Sequence, residues 1–155
     1  MKIRVLFICS HNSARSQIAE ALMNKTCGEV FEAHSAGLAP GELNPMAIDV
    51  LKEIGIDISH KKPQAVFDVF KAGQLFPYVI TVCSESEAQG CPIFPGVTTR
   101  LHWPFPDPSS FKGPYPERLE RTREVRDMIQ DEIDRFCEEK CRSAAELTKS
   151  DSKEP

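Results

Sequence analysis

The chain predicts a single α/β domain, a four-stranded parallel sheet with helices on both faces. Three observations predict it. Compact apolar runs of strand type alternate with stretches of helical periodicity, and a strand–helix–strand–helix order requires parallel crossovers. At 155 residues the chain is one domain long and can bury a core without staples. Its composition, 41% hydrophobic and 27% charged, is that of an ordinary globular protein.

The elements follow in order. A strand over about 2–8 is followed by a short polar loop and a helix over about 16–26. Val30 to Ser35 reads as a second strand, closed by Ala36-Gly37. Pro40-Gly41-Glu42-Leu43-Asn44-Pro45 is a turn-rich loop, and Ala47 to Ile54 has helical spacing. After a connection rich in Lys and Pro, Ala65 to Ala72 reads as a short helix. Tyr78 to Val82 is a buried-type strand and Thr98 to Trp103 a fourth. The last helix starts near Pro116, a favoured first-turn residue. Its apolar stripe, Val125, Ile129, Ile133, Cys137 and Cys141, is flanked by Met128 and Phe136. The domain is expected over 1–148, followed by a polar tail over 149–155.

Bulk properties exclude several classes. The net charge is −4 and no basic patch suggests nucleic acid. No apolar run would cross a membrane, and the apolar start is too short for a signal-peptide core. A cytoplasmic monomer with reduced thiols is therefore expected, its six cysteines catalytic, redox-active or simply buried. Cys137 and Cys141 read as core packing, and Cys27 carries no assigned role.

The segment from Val5 to Ser16 carries the chemistry. An apolar strand delivers Cys9 to its end; Ser10, His11, Asn12, Ser13 and Ala14 follow, then Arg15, Ser16 and a helix. Such a junction turns backbone N–H groups inward and adds the positive end of a helix. Arginine adds a planar fork matched to two oxygens of a tetrahedral oxyanion. A cysteine beneath this cradle has its thiolate stabilised, and the thiolate is the nucleophile. Asn12 suits the left-handed conformation the loop needs. The bland alternative is a buried strand cysteine beside a surface arginine. Cys9 is the only one of the six cysteines with Arg six positions on.

Cys83 ends the third strand, so a neighbouring parallel strand would bring it to the same rim as Cys9. Between Cys83 and Cys91, Ser84-Glu85-Ser86-Glu87 fits a capping box and Gly90 a helix stop. Eight helical steps span about 12 Å, whereas a disulfide tolerates about 7 Å between Cα atoms. A Cys83–Cys91 bond therefore requires that short helix to melt, which isolated helices of this length do cheaply. The spacing fits a zinc site poorly, and two inert cysteines remain the alternative. Asp107, set between Pro106 and Pro108 and near Trp103 and Phe105, reads equally as an acid for a leaving oxygen or as a turn cap.

Taken together, several stretches resemble the thioredoxin-coupled arsenate reductases, which share the fold of low-molecular-weight protein tyrosine phosphatases. They are Cys9 to Arg15-Ser16, Ser35-Ala36-Gly37, Leu43-Asn44-Pro45, Gly55 to Ser59, Cys83 with Cys91-Pro92, and His102-Trp103 with Asp107-Pro108. They occur in order over about residues 3–136. The resemblance implies a sheet of order 2-1-3-4 and catalysis without an organic cofactor. Cys9 would attack arsenate held by the loop amides of Ser10 to Ala14 and by Arg15, with Ser16 steadying the thiolate and Asp107 protonating the departing oxygen. Cys83 would attack Cys9, Cys91 would attack Cys83, and thioredoxin, or else glutaredoxin, would reduce the final disulfide. Family members that bind a potassium ion use Asn, Glu, Ser and Asp; Asn12, Glu20 and Ser35 match, and Gln64 stands at the fourth position. Seven residues separate Cys83 from Cys91 where six are commoner, and His11 and Ala14 stand where Gly and Cys are common.

Two other readings stand beside this one. A phosphotyrosine phosphatase would use the same cradle through a phosphocysteine, though Ser109-Ser110 replaces the Tyr that follows Asp-Pro in such enzymes. A non-catalytic oxyanion-binding redox sensor would keep Arg15 and the thiols and turn nothing over.

Overall fold

The computed structural model describes residues 2–84 and 99–151, with side chains as far as Arg142. Strands β1 (Ile3–Cys9), β2 (Phe31–Gly37), β3 (Tyr78–Thr81) and β4 (Thr99–His102) form a parallel sheet in the order β2-β1-β3-β4, as expected. The helices are α1 (Arg15–Cys27), α2 (Pro45–Lys52), α3 (Val66–Lys71) and α4 (Tyr115–Asp151), with a 3-10 turn at Pro108–Ser110. Cys91 and the expected switch helix before it lie outside the described residues.

β1 is an interior strand, apolar on both faces. Val5, Leu6, Phe7 and Ile8 are all fully buried. Val5, Phe7 and Cys9 face a core completed by Ile18, Leu22, Ile129 and Ile133 from α1 and α4. Leu6 and Ile8 face the other side, against Val66, Val69 and Phe76. Helices thus cover both faces, which a parallel sheet requires.

Element ends depart from expectation for local reasons. α2 begins two residues early because Asn44 caps it, its Oδ1 accepting the Met46 N–H at 2.9 Å, with Pro45 as first residue. β2 continues through Ala36 to Gly37, paired with β1 as far as Cys9. α4 continues as helix to Asp151, past the break expected at 149. The four-residue apolar spacing in α4 overshoots the helical turn by about 40° per step. The stripe therefore rotates off the core: Val125, Ile129, Ile133 and Cys137 are buried, Cys141 is half-buried and Met128 is 45% exposed. The core role expected of Cys141 is corrected accordingly.

A second correction concerns the thiols. Cys27, left without a role by its sequence, and Cys137, read as core packing, form a disulfide with Cα atoms 6.2 Å apart. They close the end of α1 onto α4 across 110 residues of chain. In the chain-entropy account such a loop closure removes about 4–5 kcal/mol of denatured-state freedom, with measured values commonly about 2–4 kcal/mol. Among the described residues, no helix is long and apolar enough to cross a membrane.

Reducing agent is expected to lower the unfolding free energy of the wild type by about 3 kcal/mol. Cys137→Ala should remove that sensitivity, as read from guanidinium unfolding with and without dithiothreitol. An equal response of wild type and variant to reduction would show that the bond contributes nothing.

Candidate active site

The turn from Cys9 to Ala14 is held from outside through its carbonyls. The oxygens of Cys9, Ser10, His11 and Ser13 accept the N–H groups of Leu38, Ala39, Gly41 and Asn44 at 2.8 to 3.1 Å. The Asn12 oxygen accepts Gln17 Nε2 at 3.2 Å. In a planar trans peptide the next N–H points opposite the carbonyl, so the N–H groups of Ser10 to Ala14 turn inward. One of them, that of Asn12, donates to Cys9 Sγ at 3.2 Å. The remainder line a concavity at the start of α1, an arrangement suited to an anion. Asn12 is the one non-glycine residue with positive φ among the described residues, at 53°.

The amide beside the sulfur is oriented by one unambiguous donor. The backbone N–H of Gln64 donates to Asn12 Oδ1 at 3.0 Å, which fixes the amide orientation. Asn12 Nδ2 then donates to Ser16 Oγ at 2.7 Å. Ser16 Oγ also lies 2.9 Å from Cys9 Sγ, and either group can donate in that contact. The Asn12 N–H and the Ser16 hydroxyl thus both lie within hydrogen-bond distance of Cys9 Sγ.

Arg15 and Asp107 meet at the mouth of the loop. Arg15, 4% exposed, donates from Nη1 to the Phe105 carbonyl at 3.3 Å and lies 3.6 Å from Asp107 through Nη2. Asp107 takes the turn-cap role, its Oδ1 accepting the Ser109 N–H at 2.9 Å, while Oδ2 faces Arg15. His11 lies on the exposed side, its Nδ1 donating to the Ala39 carbonyl at 2.9 Å. Cys83 is fully buried and remains a thiol just beyond β3. Because Ile8 pairs with Thr81 and the Val82 N–H donates to the Ile8 carbonyl at 2.9 Å, Cys83 and Cys9 share one rim, as expected.

Gly37, which the chemistry read from sequence did not use, is a steric requirement. A Cβ there would meet Asn12 N and the His11 carbonyl carbon at 2.8 Å, both rigid backbone. The end of β2 can therefore lie against the loop only as glycine. Gln17 and Gln64 were also missed as loop supports; their bonds to Asn12 are 3.1 to 3.2 Å and 3.0 Å long respectively. The signals were weak: a glycine after two small residues, and glutamines without any motif.

The residues matched to a potassium site do not fit a bare cation. Glu20, 7% exposed at its side chain, is already met by Lys61 Nζ at 2.9 Å. Burial pushes its carboxyl above the ordinary range, opposed by Lys61, by His34 and by the Ser35 N–H. The Ser35 carbonyl accepts Gln64 Nε2 at 2.9 Å, and Asn12 Oδ1 accepts two N–H groups. Gln17 Oε1 is the one buried side-chain acceptor without a partner among the described residues, and one oxygen is not a coordination shell. Among the same residues, no group of three His, Cys, Asp or Glu side chains could hold a metal.

Gly37→Ala is expected to abolish the protection that inorganic phosphate gives Cys9 against iodoacetamide, and to lower the melting temperature. Peptide mass spectrometry of Cys9 alkylation checks this. Undiminished protection would mean that the loop is not pinned at Gly37.

Comparison with known proteins agrees with this geometry. The family model described as low molecular weight phosphotyrosine protein phosphatase matches residues 4–151. An arsenate reductase of Bacillus licheniformis is 37% identical over 138 residues, covering 88% of this chain and 96% of the relative. A solved structure described as an arsenate reductase in the phosphate binding state superposes with a TM-score of 0.72 at 27% identity, covering 90% of this chain and 98% of the other. A thioredoxin-dependent arsenate reductase of Corynebacterium glutamicum gives 0.59 at 32% identity, over 86% of this chain and 62% of that one. With nearly its whole length matched and its nucleophile loop built as described, the chain belongs to the low molecular weight phosphotyrosine protein phosphatase family.

Proposed function

We propose that this protein reduces arsenate to arsenite through its own thiols and is regenerated by thioredoxin. The observation that carries this reading is the second buried thiol, Cys83, on the rim beside Cys9. Phosphoester hydrolysis uses one nucleophile and has no step for it. Support also comes from the names of the relatives, which are arsenate reductases, one of them thioredoxin-dependent.

The chemistry runs as a relay. The inward N–H groups of Ser10 to Ala14 and the Arg15 fork hold three arsenate oxygens. The Cys9 thiolate attacks arsenic, and Asp107 gives its proton to the oxygen that leaves as water. Cys83 then attacks the Cys9 sulfur. The electron pair of the sulfur–arsenic bond passes to arsenic, which departs as arsenite, and a Cys9–Cys83 disulfide forms. Cys91 attacks Cys83, freeing Cys9, and the thioredoxin dithiol, or a glutaredoxin, reduces the Cys83–Cys91 bond. The protein acts as a cytoplasmic monomer in this scheme.

Arsenate-dependent NADPH oxidation with thioredoxin and its reductase tests the relay. Wild type is expected to turn over and Cys83→Ser to show no turnover, because its Cys9–arsenic adduct has no second thiol to resolve it. Brisk hydrolysis of an aryl phosphate by both, with no arsenate turnover, would instead identify a phosphatase with Cys83 a bystander. Asp107→Asn should lower kcat by about 10²–10⁴-fold, the range for loss of a general acid, while phosphate still protects Cys9 from alkylation. Unchanged kcat would leave Asp107 as a turn cap alone.

A further inference from the structure

Glu20 is a carboxylate in the wrong place for an ordinary surface acid. It projects from the second turn of α1, buried between that helix and the end of β2. An unpaired charge there would be strongly disfavoured. The positive charge that meets it comes from Lys61, on the connection between α2 and α3, whose side chain is 34% exposed and so covers the carboxylate from the solvent side. His34, the other cationic group near Glu20, is hydrogen-bonded to Glu32 at 3.0 Å. Lys25 donates to the Ile54 carbonyl at 2.9 Å.

We propose that Lys61 is a resident cation of the nucleophile loop: its ammonium neutralises Glu20 and holds the connection carrying Gln64 against the loop, so that Cys9 needs no metal ion there. The path is continuous. Three residues after Lys61, Gln64 donates from Nε2 to the Ser35 carbonyl at 2.9 Å and from its backbone N–H to Asn12 Oδ1 at 3.0 Å. The Gln64 carbonyl accepts the Gly37 N–H at 2.8 Å, tying the same connection to the end of β2. Asn12 then orients Ser16 toward Cys9. A monovalent ion at the carboxylate would meet the ammonium at like charge within the same few ångströms, so the two exclude one another. Lys61 is a positioning residue: it touches neither oxyanion nor sulfur and acts through Gln64 and Asn12. The inference rests on the reading of Ser10 to Arg15 as an oxyanion cradle.

The test measures phosphate protection of Cys9 against iodoacetamide, and arsenate turnover, in potassium chloride and in choline chloride at matched ionic strength. Wild type is expected to behave alike in both salts. Lys61→Ala in choline should lose about tenfold in apparent phosphate affinity, the low end for an outer-shell positioning group. Potassium ion or ethylammonium should restore it. A merely structural lysine would lower the melting temperature without any such cation-specific rescue. Lys61→Gln, which keeps a hydrogen-bond donor without the charge, gives the same comparison if the alanine variant does not fold. The proposal is overturned by potassium-stimulated wild type, by a variant equal to wild type in choline, or by a loss that no cation restores. Absence of any phosphate protection in wild type would overturn the cradle reading itself, and this inference with it.

Discussion

The site depends on where five carbonyls go. Each peptide oxygen from Cys9 to Ser13 is bonded from outside the turn, four of them by the backbone that follows β2 or leads into α2. Planarity does the rest, because a peptide that spends its oxygen outward presents the next N–H inward. The concavity is thus preorganised before any oxyanion arrives, the condition under which dipoles stabilise charge without reorganisation cost. It exists only because β2 ends in glycine: backbone atoms of His11 and Asn12 occupy the space a side chain would need.

Around this turn the protein buries polar groups that a helix would ordinarily leave outside. Arg15, Ser16, Gln17 and Glu20 all face inward from the first two turns of α1, which is why that helix shows almost no amphipathic contrast. Their burial is tolerable because nearly every polar atom is satisfied. The Gln64 N–H donates to Asn12 Oδ1, Asn12 Nδ2 donates to Ser16 Oγ, and Ser16 Oγ meets Cys9 Sγ. Arg15 provides the second link, reaching across the sheet end to the loop of Phe105 and Asp107. The aromatic packing beneath, Phe7 on Trp103 and Trp103 on Phe136, supports that loop from the core.

Much of this was legible in the chain. The uninterrupted apolar run in β1 marks a strand buried on both faces, hence central, and its position before a short polar turn places Cys9 at a rim. Asn12 was recognisable as the left-handed residue of the turn from its type alone. Asp107 was ambiguous in sequence for a sound physical reason, since a carboxylate has two oxygens: one caps the 3-10 turn and the other is left facing Arg15. Less legible were groups whose function lies in a distant contact. Lys61 carries no motif, Gln64 stood out only as a mismatch to the potassium set, and a sequence separation of 52 between Asn12 and Gln64 hides their bond. The Cys27–Cys137 pairing was hidden in the same way, and the four-residue spacing that suggested a continuous stripe in α4 concealed its drift off the core.

By itself, then, the sequence determined the things set by local chemistry and periodicity: a parallel α/β sheet, a thiol at a strand end under a helix start, and an arginine spaced to share its ligand. Strand propensity, turn residues and side-chain type act over a few residues and leave their mark there. Only the tertiary structure decided which carbonyls the turn spends outward, which way the Asn12 amide points, that Gly37 must lack a side chain, and that a lysine ammonium meets the buried carboxylate of α1. Each of these is a contact between segments far apart in the chain, and such contacts exist only once the sheet order has brought their ends together.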